Sequence, residues 1–150
     1  MAQKRKTDQT KLTAMAKMLR ELETKTARSV KSRLGDNWRE NLFEIMMTRM
    51  ELAAPHRKSY AAIPSALRRE PKKIPEFAKL FLNTMHNILK LAKAPAHPHH
   101  IAAFSILYAS VVNTFLNDDT RDHAKTMAAL DKRLGLFEQA VECIPSQRKR

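Results

Sequence analysis

Glycine and cysteine are scarce in this chain of 150 residues, which has two glycines and one cysteine. Two glycines are too few for glycine-rich phosphate loops or a dinucleotide-binding fingerprint, and they also exclude most tight hairpin turns. The single cysteine, Cys143, rules out a disulfide within the chain and fits a reducing compartment. These absences argue against nucleotide-dependent enzymes and against disulfide-stabilised secreted domains.

Long apolar runs are also missing. No segment reaches the roughly 20 apolar residues that span a bilayer. The most apolar stretch, residues 101–112, is therefore predicted to be a buried core helix. The N-terminus has no apolar segment of the secretory type, and its acidic residues disfavour a transit peptide. With 43% hydrophobic and 29% charged residues, we expect one folded, cytoplasmic domain.

Positive charge is abundant, and the formal net charge is +13. Residues 1–34 hold ten Lys and Arg against three acids, whereas residues 101–150 hold seven against six. A surface with this excess attracts phospholipid headgroups, nucleic acid or acidic proteins alike. The charge alone does not choose among these partners.

Helical spacing dominates the sequence, and no pattern of alternating residues predicts a strand. Asp8 is expected to cap a first helix, which Gly35 ends. Asn37 is expected to cap a second helix, which Pro55 ends. The apolar stripe of the first helix is Leu12, Met15, Leu19, Leu22 and Val30.

The second half of the chain is predicted to hold three strong helices. Residues 56–70 form a weaker helical stretch that Pro64 interrupts, and Pro71 and Pro75 mark the next start. That helix reaches about residue 93. The following one, to about residue 116, is apolar almost all round and is predicted to be central. Cap residues at 117–120 start the last helix, whose stripe is Ala124, Met127, Leu130, Leu134, Phe137 and Val141.

The predicted organisation is an all-α bundle of about six helices. A basic N-terminal helix (1–34) precedes a helical domain (35–144) and a short basic tail (145–150).

The residues give little support to an enzyme. Acids near residue 120 lie at a predicted helix start, where they cap free N–H groups. His97, His99 and His100 form a cluster, but in a proline-bearing loop they lack the fixed geometry of a zinc motif. We expect no catalytic residues, no metal and no cofactor; a histidine-dependent metalloenzyme is the least favoured alternative.

DNA binding is the usual expectation for a basic helical protein. A helix-turn-helix needs two short helices joined by a tight turn, and residues 1–34 read as one uninterrupted helix. No arrangement that reads bases is visible. Sequence-specific nucleic-acid binding is therefore not favoured.

Methionine and phenylalanine are frequent, with eight and six residues respectively. They are interpreted either as core filling or as the wall of an adaptable apolar cavity between two helices. In the second case Tyr108 is the polar group that bonds a quinone or phenol oxygen. The predicted lipid-binding residues are Phe77, Phe81, Met85, Leu89, Phe104, Leu107, Tyr108 and Val111.

Three segments resemble a known family. Residues 36–57, D-N-W-R-E-N-L-F-E-I-M-M-T-R-M-E-L-A-A-P-H-R, are similar to the start of the C-terminal domain of the ubiquinone-biosynthesis accessory lipid-binding proteins, which have a TetR-like fold. Residues 115–134, F-L-N-D-D-T-R-D-H-A-K-T-M-A-A-L-D-K-R-L, resemble the most recognisable segment of that family. R-R-E-P at residues 68–71 matches a helix boundary between them, and the resemblance covers about residues 36–138.

This resemblance implies a TetR-type helical homodimer that holds an isoprenoid lipid or quinone intermediate. It would present the intermediate to a partner hydroxylase at the inner membrane of a bacterium, or in the mitochondrial matrix of a eukaryote. The local positive charge of residues 1–34 favours the basic N-terminal helix as the element that meets the anionic membrane surface, in place of the membrane-binding helix of that family. The partner-binding residues that the resemblance implies are Asp118, Asp119, Asp122, Asp131 and Arg133. The alternative is a TetR-like ligand-sensing and dimerisation domain of a transcriptional regulator.

Overall fold

The computed structural model describes residues 2–144, and they form an all-helical structure. No β-strand is present in this range, which confirms the all-α prediction. Short 3₁₀ turns at Ala54–His56, Pro71–Lys73 and Arg121–His123 precede the third, fourth and sixth helices. The predicted basic tail, 145–150, lies outside the described residues. The α-helices are α1 (Ala2–Val30), α2 (Trp38–Ala53), α3 (Arg57–Arg69), α4 (Ile74–Leu91), α5 (Pro98–Leu116) and α6 (Ala124–Cys143).

Local sequence signals set several helix ends as predicted. The side-chain oxygen of Asn37 accepts hydrogen bonds from the N–H groups of Arg39 (3.0 Å) and Glu40 (3.2 Å), which caps α2. Pro55 lies in the 3₁₀ turn that follows α2. Pro75 lies in the first turn of α4, where a missing N–H breaks no helical hydrogen bond.

Two predictions about helix ends are wrong. α1 begins at Ala2 and ends at Val30, so Asp8 is inside the helix, where it pairs with Arg69 of α3 at 3.5 Å. α3 runs through Pro64 without interruption. Proline removes a helical hydrogen bond, but its neighbours Ile63 and Leu67 pack against one apolar cluster and hold the helix together.

The apolar side chains form two clusters. The larger one lies between α2, α4, α5, α6 and the second half of α1. The smaller one joins Leu12 and Ala16 of α1 to Ala66 of α3 and Phe77 of α4. The basic N-terminal helix is therefore part of the packed structure, because it contributes residues to both clusters.

The central helix is α2 and not α5, contrary to the prediction. Most residues of α2 between 41 and 50 are buried, including the polar Asn41, Thr48 and Arg49. α5 instead leaves one apolar strip outside: Ala102 and Ala109 are exposed, and Ile106 between them is 75% exposed. α5 is apolar on nearly all sides, but it is not buried on all sides, because its neighbours α4 and α6 cover only part of its surface.

The start of α6 is held by Asp118, which is 1% exposed. Its carboxylate accepts hydrogen bonds from the N–H and the hydroxyl of Thr126, both at 2.8 Å, and from the hydroxyl of Thr120. These bonds lower the pKa of Asp118, with the Thr120 hydroxyl as the largest cause. The buried side of α6 carries Thr126 in place of the predicted Met127, which is 42% exposed.

Candidate functional site

A cavity of about 530 Å³ lies between α3, α4 and α5. It is open to solvent, and Leu19 of α1 and Arg49 of α2 complete its lining. Sites for small molecules usually have volumes of about 300–1,000 Å³ and mostly apolar walls. The α3 wall is Ile63, Pro64 and Leu67, and the α4 wall includes Phe77, Phe81 and Met85.

One part of the cavity lining is polar and is built around Arg49. This side chain is 3% exposed, and its Nε donates a hydrogen bond of 2.7 Å to the hydroxyl oxygen of Tyr108 on α5. Within residues 2–144, no carboxylate lies within ion-pair distance of its guanidinium. Burying a cation without an anionic partner is energetically unfavourable. The position of Arg49 beside a cavity therefore indicates that the cavity is where a partner could bind.

The protonation state of Arg49 is clear. Burial acts to lower the pKa of the guanidinium, but the oxygens of Tyr108 and Tyr60 act to raise it, and the net shift is upward. Arginine is charged at all physiological pH values even without such a shift. The cavity therefore carries a fixed positive charge in its lining.

Tyr60 of α3 adds a second polar group. Its hydroxyl oxygen is buried and has no hydrogen-bond partner within the described structure. Burial raises the pKa of Tyr60, so its hydroxyl stays protonated and can donate. A second void of about 10 Å³, close to the size of one water molecule, is also lined by Arg49, Tyr60 and Tyr108.

The eight predicted lipid-binding residues divide into two groups. Phe77, Phe81, Met85 and Tyr108 line the cavity. The other four belong to the larger apolar cluster, are at most 7% exposed and do not line it; they are Leu89, Phe104, Leu107 and Val111. Helical spacing placed all eight on inward-facing surfaces, but α4 and α5 leave a gap along only part of their length.

Of the five predicted partner-binding residues, one is buried and the other four are exposed or partly buried. Asp118 is buried and bonded within the chain, contrary to the prediction that it meets a partner. Asp119 and Asp122 are exposed near the start of α6. Asp131 is exposed on α6, 3.4 Å from Arg39 of α2. Arg133 is partly buried, and its Nε has no hydrogen-bond partner within the described range.

The rings of His97, His99 and His100 lie close together where α5 begins. The ring centroids of His99 and His100 are 4.0 Å apart, and the Nδ1 of His100 accepts a hydrogen bond from the N–H of His97. Over residues 2–144, no group of three or more His, Cys, Asp or Glu side chains is arranged to hold a metal ion.

α5 has the length and apolar composition of a membrane-crossing helix, with 33% of its most apolar window buried in the bundle. The core helix of a soluble protein has the same properties. The apolar stretch predicted from the sequence ends at residue 112, whereas the helix continues to Leu116.

Comparison with protein-family models, with curated proteins and with solved structures finds no match to this chain. The family resemblance therefore rests on the three quoted segments alone. What the cavity binds has to be argued from its own residues.

Arg49 and Tyr60 were not predicted as site residues. A signal for Arg49 exists in the sequence, because it lies three residues after Met46 and four before Ala53, on the apolar side of the second helix. A charged residue within an apolar stripe is unusual and marks a position to inspect. Tyr60 has a weaker signal, since its helix is short and contains Pro64.

Proposed function

We propose that this chain is a lipid-binding accessory protein of ubiquinone biosynthesis, without catalytic activity of its own. It holds an isoprenoid quinone intermediate in the cavity between α3, α4 and α5 and presents it to a partner hydroxylase. The observation that carries the proposal is the open cavity of about 530 Å³, whose walls are aromatic, aliphatic and methionine side chains. The resemblance of residues 36–138 to that family supports the isoprenoid ligand and a TetR-like arrangement of the helices.

The exposed side of α1 supports a peripheral membrane location. Six basic side chains on it take part in no ion pair within the described range: Lys4, Lys6, Lys11, Lys17, Lys25 and Arg28. Each basic residue near an anionic membrane contributes about 1 kcal/mol to binding. Sedimentation with anionic vesicles is expected to capture the protein, and the Lys11→Glu/Lys17→Glu variant is expected to bind them less. Equal sedimentation with neutral vesicles would contradict this location.

The proposal also includes a homodimer, which the resemblance implies. The exposed strip of α5 around Ile106 gives a second copy an apolar surface to cover.

The decisive experiment identifies the lipid that copurifies with the protein. Lipid extracted from native protein is analysed by mass spectrometry and is expected to contain a prenylated compound. Ala109 is exposed and lines the cavity, so Ala109→Trp fills space there without disturbing the core and is expected to abolish lipid retention. Ala102→Trp is the matched control, because Ala102 is exposed on the same helix and does not line the cavity. Purified protein that holds and binds no isoprenoid would contradict the proposal.

The second candidate is the ligand-sensing and dimerisation domain of a TetR-like regulator. The same cavity would hold the effector, and the basic α1 would contact nucleic acid. Gel shifts over a salt series separate the two functions, because binding to phosphates weakens steeply as salt rises. Vesicle binding without any shift of DNA favours the lipid-binding protein.

A further inference from the structure

The polar lining of the cavity contains hydrogen-bond donors that have no acceptor among the described residues. Arg49 offers only N–H groups and uses its Nε on the Tyr108 oxygen. Since that oxygen accepts from Arg49, the Tyr108 proton remains available to another acceptor. The buried Tyr60 hydroxyl has no partner among the described residues. One positive charge and two hydroxyl groups therefore belong to residues that line this cavity, and no described residue accepts a hydrogen bond from either hydroxyl.

Residues 2–144 do not provide the missing acceptor. The charge of the Glu23 carboxylate on α1 also acts to raise the pKa of Arg49, as the smallest of its causes. Its oxygens accept hydrogen bonds from Asn87 (2.6 Å) and Thr84 (3.2 Å) on α4. Those bonds tie α1 to α4, and no carboxylate of the described residues forms an ion pair with Arg49.

We propose that Arg49, Tyr60 and Tyr108 form a headgroup site for an anionic oxygen group, a carboxylate or a phosphate monoester, on an amphiphile whose apolar part lies in the same cavity. This inference rests on the proposed function for one premise, which is that this cavity is the ligand site. It then restricts the class of ligand to acidic amphiphiles. Guanidinium forks bind such groups in a bidentate manner, with stronger hydrogen bonds than neutral pairs make. The walls formed by α3 and α4 accommodate the chain or ring.

The alternative is that Arg49 has only a structural role, linking α2 to α5 through Tyr108. The two roles differ in what they require of the ligand. A structural arginine leaves the cavity indifferent to the charge of a headgroup, whereas a headgroup site discriminates by charge. The test therefore compares ligands that share one chain and differ in the headgroup.

The probes are dodecanoate, dodecyl phosphate, dodecanol and dodecylamine, each below its micelle concentration, with binding measured by calorimetry. The wild-type protein is expected to bind an anionic probe at least about tenfold more tightly than dodecanol, and dodecylamine most weakly. The tighter of the two anions identifies carboxylate or phosphate as the group. Equal affinity for all four probes would overturn the headgroup site and leave the lipid-binding proposal intact. No binding of any probe would contradict the lipid-binding proposal as well.

Arg49→Met removes the charge and keeps an apolar side chain of similar length. It is expected to lose the preference for anions while binding dodecanol within about twofold of wild type. Arg49→Lys is expected to restore part of the preference, because the charge returns without the planar fork. Arg28→Met is the matched control: it removes an exposed charge of α1 outside the cavity and is expected to keep the wild-type preference.

If Arg49→Met does not fold, Tyr60→Phe provides the second test. It removes a hydroxyl that has no partner in the described structure, so it leaves the contacts between helices in place. A severalfold weaker binding of the preferred anion, with dodecanol unchanged, is expected. Anion affinity unchanged in this variant and in Arg49→Lys would overturn the headgroup site.

Discussion

The Nε of Arg49 lies 2.7 Å from the hydroxyl oxygen of Tyr108, and this hydrogen bond joins α2 to α5 at the cavity. It is the one direct partner that the buried guanidinium has among residues 2–144. This pair of side chains therefore contributes both to the stability of the fold and to the polar part of the cavity lining.

Tyr108→Phe is expected to lower the free energy of unfolding by about 1–3 kcal/mol, because it leaves a buried charged donor without its acceptor. Urea denaturation followed by circular dichroism gives this value. Tyr60→Phe is the matched control and is expected to change stability little, since the Tyr60 hydroxyl has no partner in the described structure. Equal losses for both variants would mean that the bond to Arg49 does not contribute to folding.

Leu107→Ala is expected to cost about 2–5 kcal/mol, because Leu107 is 7% exposed and packs within the larger apolar cluster. Leu67→Ala makes the same chemical change at a half-buried position of the cavity wall, so its cost is expected to be smaller. Thermal and urea unfolding measure the two losses. Lipid retention should fall in the Leu67 variant and persist in the folded Leu107 variant; the opposite pattern would place the ligand elsewhere.

Acid is expected to destabilise the start of α6 through Asp118. Hydrogen bonds from Thr120 and Thr126 hold the pKa of this carboxyl below its usual range, so the folded state binds fewer protons than the unfolded state. Its contribution is complete above about pH 4, the ordinary pKa of aspartate, and is lost as the pH falls below that value. Asp118→Asn should be less stable at pH 7 and show a flatter stability profile between pH 4 and pH 2. An unchanged slope would contradict this assignment.

The start of α5 is expected to be sensitive to a milder acidity. Burial lowers the pKa of His100, and the charges of His99 and His97 lower it further. The folded state therefore binds fewer protons, and the stability that the neutral ring provides is complete above about pH 6.5, the ordinary pKa, and is lost as the pH falls below it through the lower pKa of the folded state. His100→Gln keeps a neutral acceptor for the His97 N–H, so it should flatten the stability profile between pH 7 and pH 5. A wild-type profile that is already flat there would contradict the prediction.

The proposed homodimer makes a prediction about Ile106, which is 75% exposed on α5. Ile106→Lys places a charge on the strip that the second copy would cover, so it should shift the protein toward monomer in analytical ultracentrifugation. Leu82→Lys is the matched control, because it also replaces an exposed aliphatic side chain by lysine, at a position of α4 that is 50% exposed. A wild-type monomer at all concentrations would rule out the dimer.

The helices were predictable where their causes are local. The cap at Asn37, the end at Pro55 and the start at Pro75 depend on hydrogen bonds and dihedral angles within a few residues, so the sequence displays them. The same reasoning failed at Pro64, where packing of α3 through Ile63 and Leu67 outweighs the local preference of proline.

By itself the sequence determined the all-helical class, most helix limits and the apolar faces of α4 and α5, because each follows from short-range spacing. Only the tertiary structure decided that α2 is central, that Asp118 is buried, and that Phe81 lines a cavity while Leu89, two turns later, lies in the core. Those outcomes depend on the distances between helices, which side chains far apart in the chain set together. The sequence shows that residue 49 is a charged arginine. Only the packing of α3 and α5 around it buries the guanidinium without an ion pair among the described residues.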